Sequence, residues 1–278
     1  MKANPYLQVL LAILIMGSTG VFIKILDFPP ATLSFFRTAV PAGLLFLYFR
    51  FKKVNLFYHP PGLMLLGSGL NAIRIFLFIF GFTYTTIANA VLILNAWPVF
   101  ANLFSILFLK EKVPTRNLLL LLLPLSGIML LFVDQPISLD NQDFIGMSAM
   151  VLSAMIYSLT IIIFKRESNK YGGYETTFFQ NLIGGIFFLP FLWHEEAHYS
   201  VGQVSLGIVY AFLIGIVAFG LYFSALRQLK ASTISFMSYL EVVVATSFGV
   251  FLFGETLSWN IMVGGSLIII STIMLKKQ

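Results

Sequence analysis

Between Arg74 and Lys110 the chain carries no charged side chain. A bilayer core about 30 Å thick is crossed by about 20 apolar residues, so this run is too long for one helix and too apolar for a loop. "GFTYTT" (81–86), with its glycine and β-branched threonines, is the expected break. Breakers and charges divide all 278 residues into segments near 6–26, 31–50, 61–82, 86–109, 115–133, 144–165, 174–193, 203–225, 231–253 and 258–275. Only 10% of the residues are charged, against about 25% in a soluble domain. The expected fold class is therefore all-α integral membrane, with ten transmembrane helices. The first residues, "MKANPYLQVLLAILIMGSTG", have the outline of a signal peptide. The apolar run continues to Ile25, however, and reads as an uncleaved first helix.

Loop charges predict the orientation. One set of loops collects Lys2, "RFKK" (50–53), "KEK" (110–112), Arg116, "KRESNK" (165–170), Arg227, Lys230 and "KK" (276–277), fourteen of the 17 Lys and Arg. The other set holds Asp27, Asp134, Asp140, Asp143, Glu195, Glu196 and Glu255, with only Lys24 nearby. Basic loops stay cytoplasmic, so both termini are expected there, in the bacterial inner (plasma) membrane. The net charge of +6 is accounted for in this way. No basic run is long enough to grip a phosphate backbone, so nucleic acid is not an expected partner. The absence of cysteine excludes disulfides and thiolate chemistry.

The chain also repeats itself. "IANAVLILNAWPVFANLFSILFLKEKV" (87–113) reads like "STISFMSYLEVVVATSFGVFLFGETL" (232–257), pairing Glu111 with Glu255, Asn95 with Tyr239 and Trp97 with Glu241. "AILIMGSTGVFIK" (12–24) sits over "SAMIYSLTIIIFK" (153–165), pairing Thr19 with Thr160 and Lys24 with Lys165, and "SFFRT" (34–38) sits over "TFFQN" (177–181). The predicted domains are two five-helix repeats, 1–138 and 139–278. Five crossings per half would invert the second relative to the first, an arrangement used by secondary transporters for alternating access.

With an Arg in the second segment ("FFRTAVPAGLLFL"), "NAWPVFANLFSILFLKEK" running into "LLPLSGIMLL", and "LEVVVATSFGVFLFGET" followed by "GGSLIIISTIML", nearly the whole chain resembles the EamA type of the drug/metabolite transporter superfamily. The resemblance implies a basket of segments 1–4 and 6–9 around a central cavity, with segments 5 and 10 peripheral. It also implies a substrate among amino acids, carboxylates, nucleotide-like metabolites and xenobiotics, often exported. One departure stands out: the usual proline of the ninth segment is replaced around Glu241 and Val242.

The residues point to the same interior. Arg37, Arg74 and Glu241 fall at membrane depth, with Lys24 nearer an edge, and each charge there costs about 2.5–3.5 kcal/mol on insertion scales. Asn71, Arg74 and Phe78 share a helix face, offering a guanidinium fork, an amide and a ring to a carboxylate or phosphate. A structural ion pair of Arg74 with Glu241 is the competing reading. Arg37 reads as structural or gating, with Pro41 freeing a carbonyl for it. Lys24 is expected to snorkel to the outer interface, or to gather anions there. Glu241 has three candidate roles: proton coupling, binding a substrate amine, and pairing with an arginine. An Arg for a carboxylate and a Glu for an ammonium together suit a zwitterion, so an amino acid is the first expected substrate. Trp97, beside Pro98 and Asn95, marks a helix bend expected to line the cavity. Tyr157, Tyr222 and Tyr239 complete the candidate contacts, although such residues also serve as interhelical glue.

"HEEAH" (194–198) matches a zinc-protease signature. It falls in a short loop with His59 as the only other histidine, on the opposite side, so it reads as an exposed loop with no metal expected. No nucleotide-binding glycine motif is present, and no cofactor is expected. The alternatives left open are uptake or exchange of nucleotide-like or carboxylate metabolites and, in a different class, a membrane-embedded hydrolase or lipid transferase. Expected partners are a small-molecule substrate and membrane lipid. Gly264, Gly265 and Ser266 would allow either a homodimer or packing within the chain.

Overall fold

The computed structural model describes residues 4–97, 99–101, 103–104, 115–133, 136, 138–192, 199–229, 233–234 and 237–276, and among these there are helices and turns but no strand. Helices form where the sequence supplies starts. Asn4 accepts from the Tyr6 amide ahead of α1 (Pro5–Leu26), and a proline opens both α1 and α2 (Pro30–Phe51). After α3 (Gly62–Tyr84), Thr85 is extended and Thr86 caps α4 (Ile87–Leu94) by accepting from the Asn89 amide, so the uncharged run breaks at its Tyr-Thr-Thr end. α5 is Thr115–Leu131 and α6 is Gln142–Glu167, capped by Asn141. α7 (Gly173–Phe187) ends in a 3-10 turn at Leu189–Leu192. α8 (Val201–Gln228) starts with a capping box between Ser200 and Gln203, and α9 (Tyr239–Phe253) and α10 (Trp259–Lys276) complete the ten. By length and apolarity α1, α2, α3, α6 and α8 each suffice to cross a membrane.

The repeat shows in the packing. Lys24 near the end of α1 donates to the Thr85 carbonyl at 2.8 Å, and Lys165 near the end of α6 donates to the Leu226 carbonyl at 2.5 Å and to Leu229 at 3.1 Å. Each lysine reaches a backbone oxygen 61 residues ahead. In both places the amine meets carbonyls released where a helix stops before the next begins. Lys24 is thus held by Thr85 at the α3–α4 junction, a partner the snorkelling expectation did not foresee. The same junction takes Asp143, which accepts from the Thr85 hydroxyl. It also takes Glu255, whose carboxylate accepts from the Ile87 and Ala88 amides at 2.8 and 3.2 Å. A carboxylate there satisfies orphan N–H groups and meets the positive end of the helix dipole.

α3 packs along α6 and α7, α2 against α7, α1 against α8 and α9, and α4 against α6 and α9. α5 and α10 pack chiefly on each other. Their crossing requires glycine: a Cβ on Gly127 would lie 2.6 Å from the Gly264 carbonyl oxygen, and one on Gly264 2.7 Å from that of Gly127. Gly265 faces Leu92 of α4, where a Cβ would approach to 2.9 Å. Gly264 and Gly265 are thus used for packing within the chain, while Ser266 is exposed.

Candidate functional site

Eight helices surround a central cavity, and all but α7 contribute side chains to its wall: Met16 and Thr19 from α1, Arg37 from α2, Arg74, Ile75 and Phe78 from α3, and Leu94 from the end of α4 with Asn95 and Trp97 just beyond. α6 adds Tyr157, α8 adds Ile214, Phe219 and Tyr222, and Ser238 and Glu241 belong to the start of α9. α7 stands one layer back. Its Asn181 takes a 3.4 Å hydrogen bond from Arg37 Nη1, and its Gln180 carbonyl takes one of 2.8 Å from Asn71 Nδ2.

Four of the lining helices are irregular at this depth. α1 is interrupted at Ser18, whose hydroxyl turns back to the Ile15 carbonyl at 2.6 Å. The chain turns at Asn95–Ala96, with Asn95 Nδ2 donating to the Val91 carbonyl at 3.0 Å. α8 widens into a π-helical stretch, Leu213–Ala218, and α9 begins with a turn at Ser238. Non-helical backbone at membrane depth is tolerated where it is buried in protein or lines a cavity, and π-bulges favour functional sites. The π stretch brings Gly215 against Pro41, where a Cβ would strike the proline ring and come within 3.1 Å of Arg37 Nη1.

The charges are held by rings and amides. Arg74 is buried; its Nε donates to Asn71 Oδ1 at 3.0 Å. Its guanidinium carbon lies 4.8 Å from the Tyr157 ring centre and 5.3 Å from that of Phe78. Its two Nη nitrogens make no hydrogen bond with the described residues. Arg37 is equally buried, over the Phe219 ring at 4.9 Å. Cation–π contacts of this kind contribute about 0.5–2 kcal/mol each when desolvated, offsetting part of the cost of burying a guanidinium. Trp97 meets Tyr157 edge to face at 5.6 Å. Glu241 is half-buried at the wall and makes no ion pair or side-chain hydrogen bond with the described residues; among these the ion pair within 4.0 Å is Lys170–Glu167, elsewhere. Arg74 and Glu241 therefore share a cavity without closing on each other, which excludes the direct structural pair in this conformation.

The structure brings together Arg74, Glu241, Asn95, Trp97, Tyr157 and Tyr222. Asn71 lies behind Arg74 as its support rather than on the wall. Arg37 binds Asn181 and not a carbonyl freed by Pro41, and it faces the cavity. Pro98, the "HEEAH" stretch and the Tyr239 side chain lie outside the described residues. Sequence reasoning missed Phe219 and Ile214, which lie in a featureless apolar run, and Ser238, a small polar residue at the start of α9.

The free volume in the cavity is about 40 Å³, room for about three waters. In this conformation the free space is smaller than an amino-acid-sized solute. Among the described residues no cluster of His, Cys, Asp or Glu is placed to hold a metal ion.

Comparison with known proteins assigns this architecture. The EamA-like transporter family matches residues 4–133 and again 144–276. An uncharacterized transporter of Archaeoglobus fulgidus is 25% identical over 94% of this chain and 92% of its own length. The pseudopaline exporter CntI of Pseudomonas aeruginosa is 24% identical over 90% of this chain and 87% of its own. A crystal structure 16% identical in sequence superposes with a TM-score of 0.67 over 98% of this chain and 96% of that one, a likeness of fold. The family is one of transporters, not of enzymes, which sets aside the hydrolase and lipid-transferase reading. The chain is a multi-pass integral membrane protein with two EamA repeats, and it belongs to the EamA-like transporter family of the drug/metabolite transporter superfamily.

Proposed function

We propose that this transporter moves a small metabolite bearing both a carboxylate and an amine, an amino acid or related zwitterion or anion, by alternating access across the cytoplasmic membrane. The observation that carries the reading is a cavity lined by Arg74, Arg37 and Glu241 in which Arg74 and Glu241 are not paired with each other. The Arg74 Nη edge is a fixed fork for a carboxylate. Glu241, across an aromatic wall, suits an ammonium or carries the coupling proton. The small free volume supports an occluded conformation that opens by rocking of the two halves. Basic loops support both termini at the cytoplasmic face. The similarity to the pseudopaline exporter supports export as the direction.

A second reading is favoured by the excess of cavity cations over acids. Two guanidinium groups against one carboxylate suit a carboxylate or nucleotide-like anion taken up or exchanged, with Glu241 carrying the proton. Flux of labelled amino acids into proteoliposomes, with and without a pH gradient, tests the first reading. Saturable uptake of at least one of them supports it. A protein that ignores every amino acid but moves dicarboxylates or nucleotides transfers the conclusion to the second.

A further inference from the structure

On the opposite side of α2 from the cavity wall, two grooves lie next to each other. One, of about 310 Å³, lies between α2 and α7 and is floored by small residues, Ala39, Ala42, Gly43 and Gly185. It is almost wholly apolar, and a Cβ on Gly43 would meet nothing within 4 Å. The other, of about 690 Å³, is formed by the end of α2 and the loop beyond, and it carries Arg50, Lys53 and Asn55, all exposed. Phe46 and Phe57 line both, so the two grooves adjoin at these rings.

The backbone at the basic end is unusual. α2 closes with the Lys53 amide bonded to the Arg50 carbonyl at 3.1 Å and the Val54 amide to the Phe49 carbonyl at 2.9 Å. This pair of bonds is a Schellman ending, whose left-handed position normally holds glycine. Here it holds Lys53, at φ 53°. Holding a lysine where glycine is preferred costs backbone strain, and it sets the exposed Lys53 side chain at the end of α2. With exposed Lys52 between them, Arg50 and Lys53 give three cations at the head of an apolar channel.

We propose that this surface binds an anionic phospholipid, with an acyl chain along the small-residue groove and the phosphate at Arg50 and Lys53. The match of an apolar trough to a basic rim favours that occupant: a zwitterionic lipid brings its own cation beside Arg50, Lys52 and Lys53, and a second copy of this basic end would repel them. Juxtamembrane basic residues are the usual partners of anionic headgroups.

The test uses the purified full chain in detergent, with dioleoyl phosphatidylglycerol and dioleoyl phosphatidylcholine as probes. Native mass spectrometry reads bound lipid and thermal unfolding reads its effect. Wild type is expected to retain phosphatidylglycerol preferentially and to melt higher with it. Removing both cations, in Arg50→Gln with Lys53→Gln, raises the lipid concentration for half occupancy about thirtyfold, with melting in phosphatidylcholine unchanged. Gly43→Leu, which fills the channel while keeping every charge, lowers retention of both lipids and guards against a double variant that fails to fold. Equal retention of the two lipids by wild type overturns the proposal, as does phosphatidylglycerol binding indifferent to both variants. So does a dimer in light scattering that Gly43→Leu converts to monomer, since the groove is then a subunit interface.

Discussion

The two halves of the transporter agree in framework and differ in chemistry. Lys24 and Lys165, paired in the repeat, close equivalent helix junctions through backbone carbonyls. Inside the cavity the pairing fails. Arg37 stands where the second half has Gln180, and Trp97 stands where it has Glu241. Both cavity cations come from the first repeat, and the cavity acid comes from the second. The framework obeys the repeat because backbone groups are the same in both copies. The cavity departs from it, and unlike walls are what the substrate proposed above, with its unlike ends, requires.

This contrast predicts a graded set of effects. The largest falls on the cation side: Arg74→Ala lowers substrate flux about a hundredfold or more, as expected when one partner of a buried charged contact is removed. Arg74→Lys rescues little of it, because a point charge does not replace a planar fork. Initial rates in proteoliposomes at matched protein content measure both, and near-normal flux in either variant breaks the assignment of Arg74 to the substrate. Glu241→Gln comes next. If Glu241 carries the proton, the variant loses its response to a pH gradient, about tenfold or more in driven uptake, yet still exchanges substrate across equal pH. Loss of exchange as well places Glu241 on the substrate amine.

The framework variants produce smaller changes, in stability more than in transport. Lys24→Met and Lys165→Met each remove a charge-assisted bond to a carbonyl, at a cost of about 1–3 kcal/mol. Lys165 bonds two carbonyls and Lys24 one, so Lys165→Met gives the larger drop in melting temperature. A marked loss from one with none from the other sinks the claim of equivalent junctions. The smallest expected effect is that of Glu255→Gln, which weakens the cap of α4 by about 0.5–2 kcal/mol. Thermal unfolding in detergent reads it directly.

Much of the framework was legible in the sequence. The break near Thr85 and Thr86 follows from turn chemistry inside an uncharged run, and the pairing of Lys24 with Lys165 follows from repeat register. The charged members of the cavity were legible too, because charge at membrane depth demands an interior position. Helix rotation was not. α8 is apolar on every face, since lipid and protein interior select the same side chains there, so nothing in its pattern marks Ile214 or Phe219 as cavity residues. The π-helical stretch is equally silent in sequence; only Gly215, which must clear Pro41, records it. Asn71 shows the opposite limit. Its position on the Arg74 face was readable, but whether it faced substrate or supported the arginine depended on α7 packing behind it.

The central claim is that one wall reads a carboxylate and the other an ammonium. It is tested most directly by flux into proteoliposomes of three matched solutes: an amino acid that the protein moves, the amine left by removing its carboxylate, and the acid left by removing its amine. The account predicts fast movement of the zwitterion and slow movement of both truncated forms, with Arg74→Ala erasing the distinction between zwitterion and amine. Equal transport of the amine and the zwitterion by the wild type would contradict it.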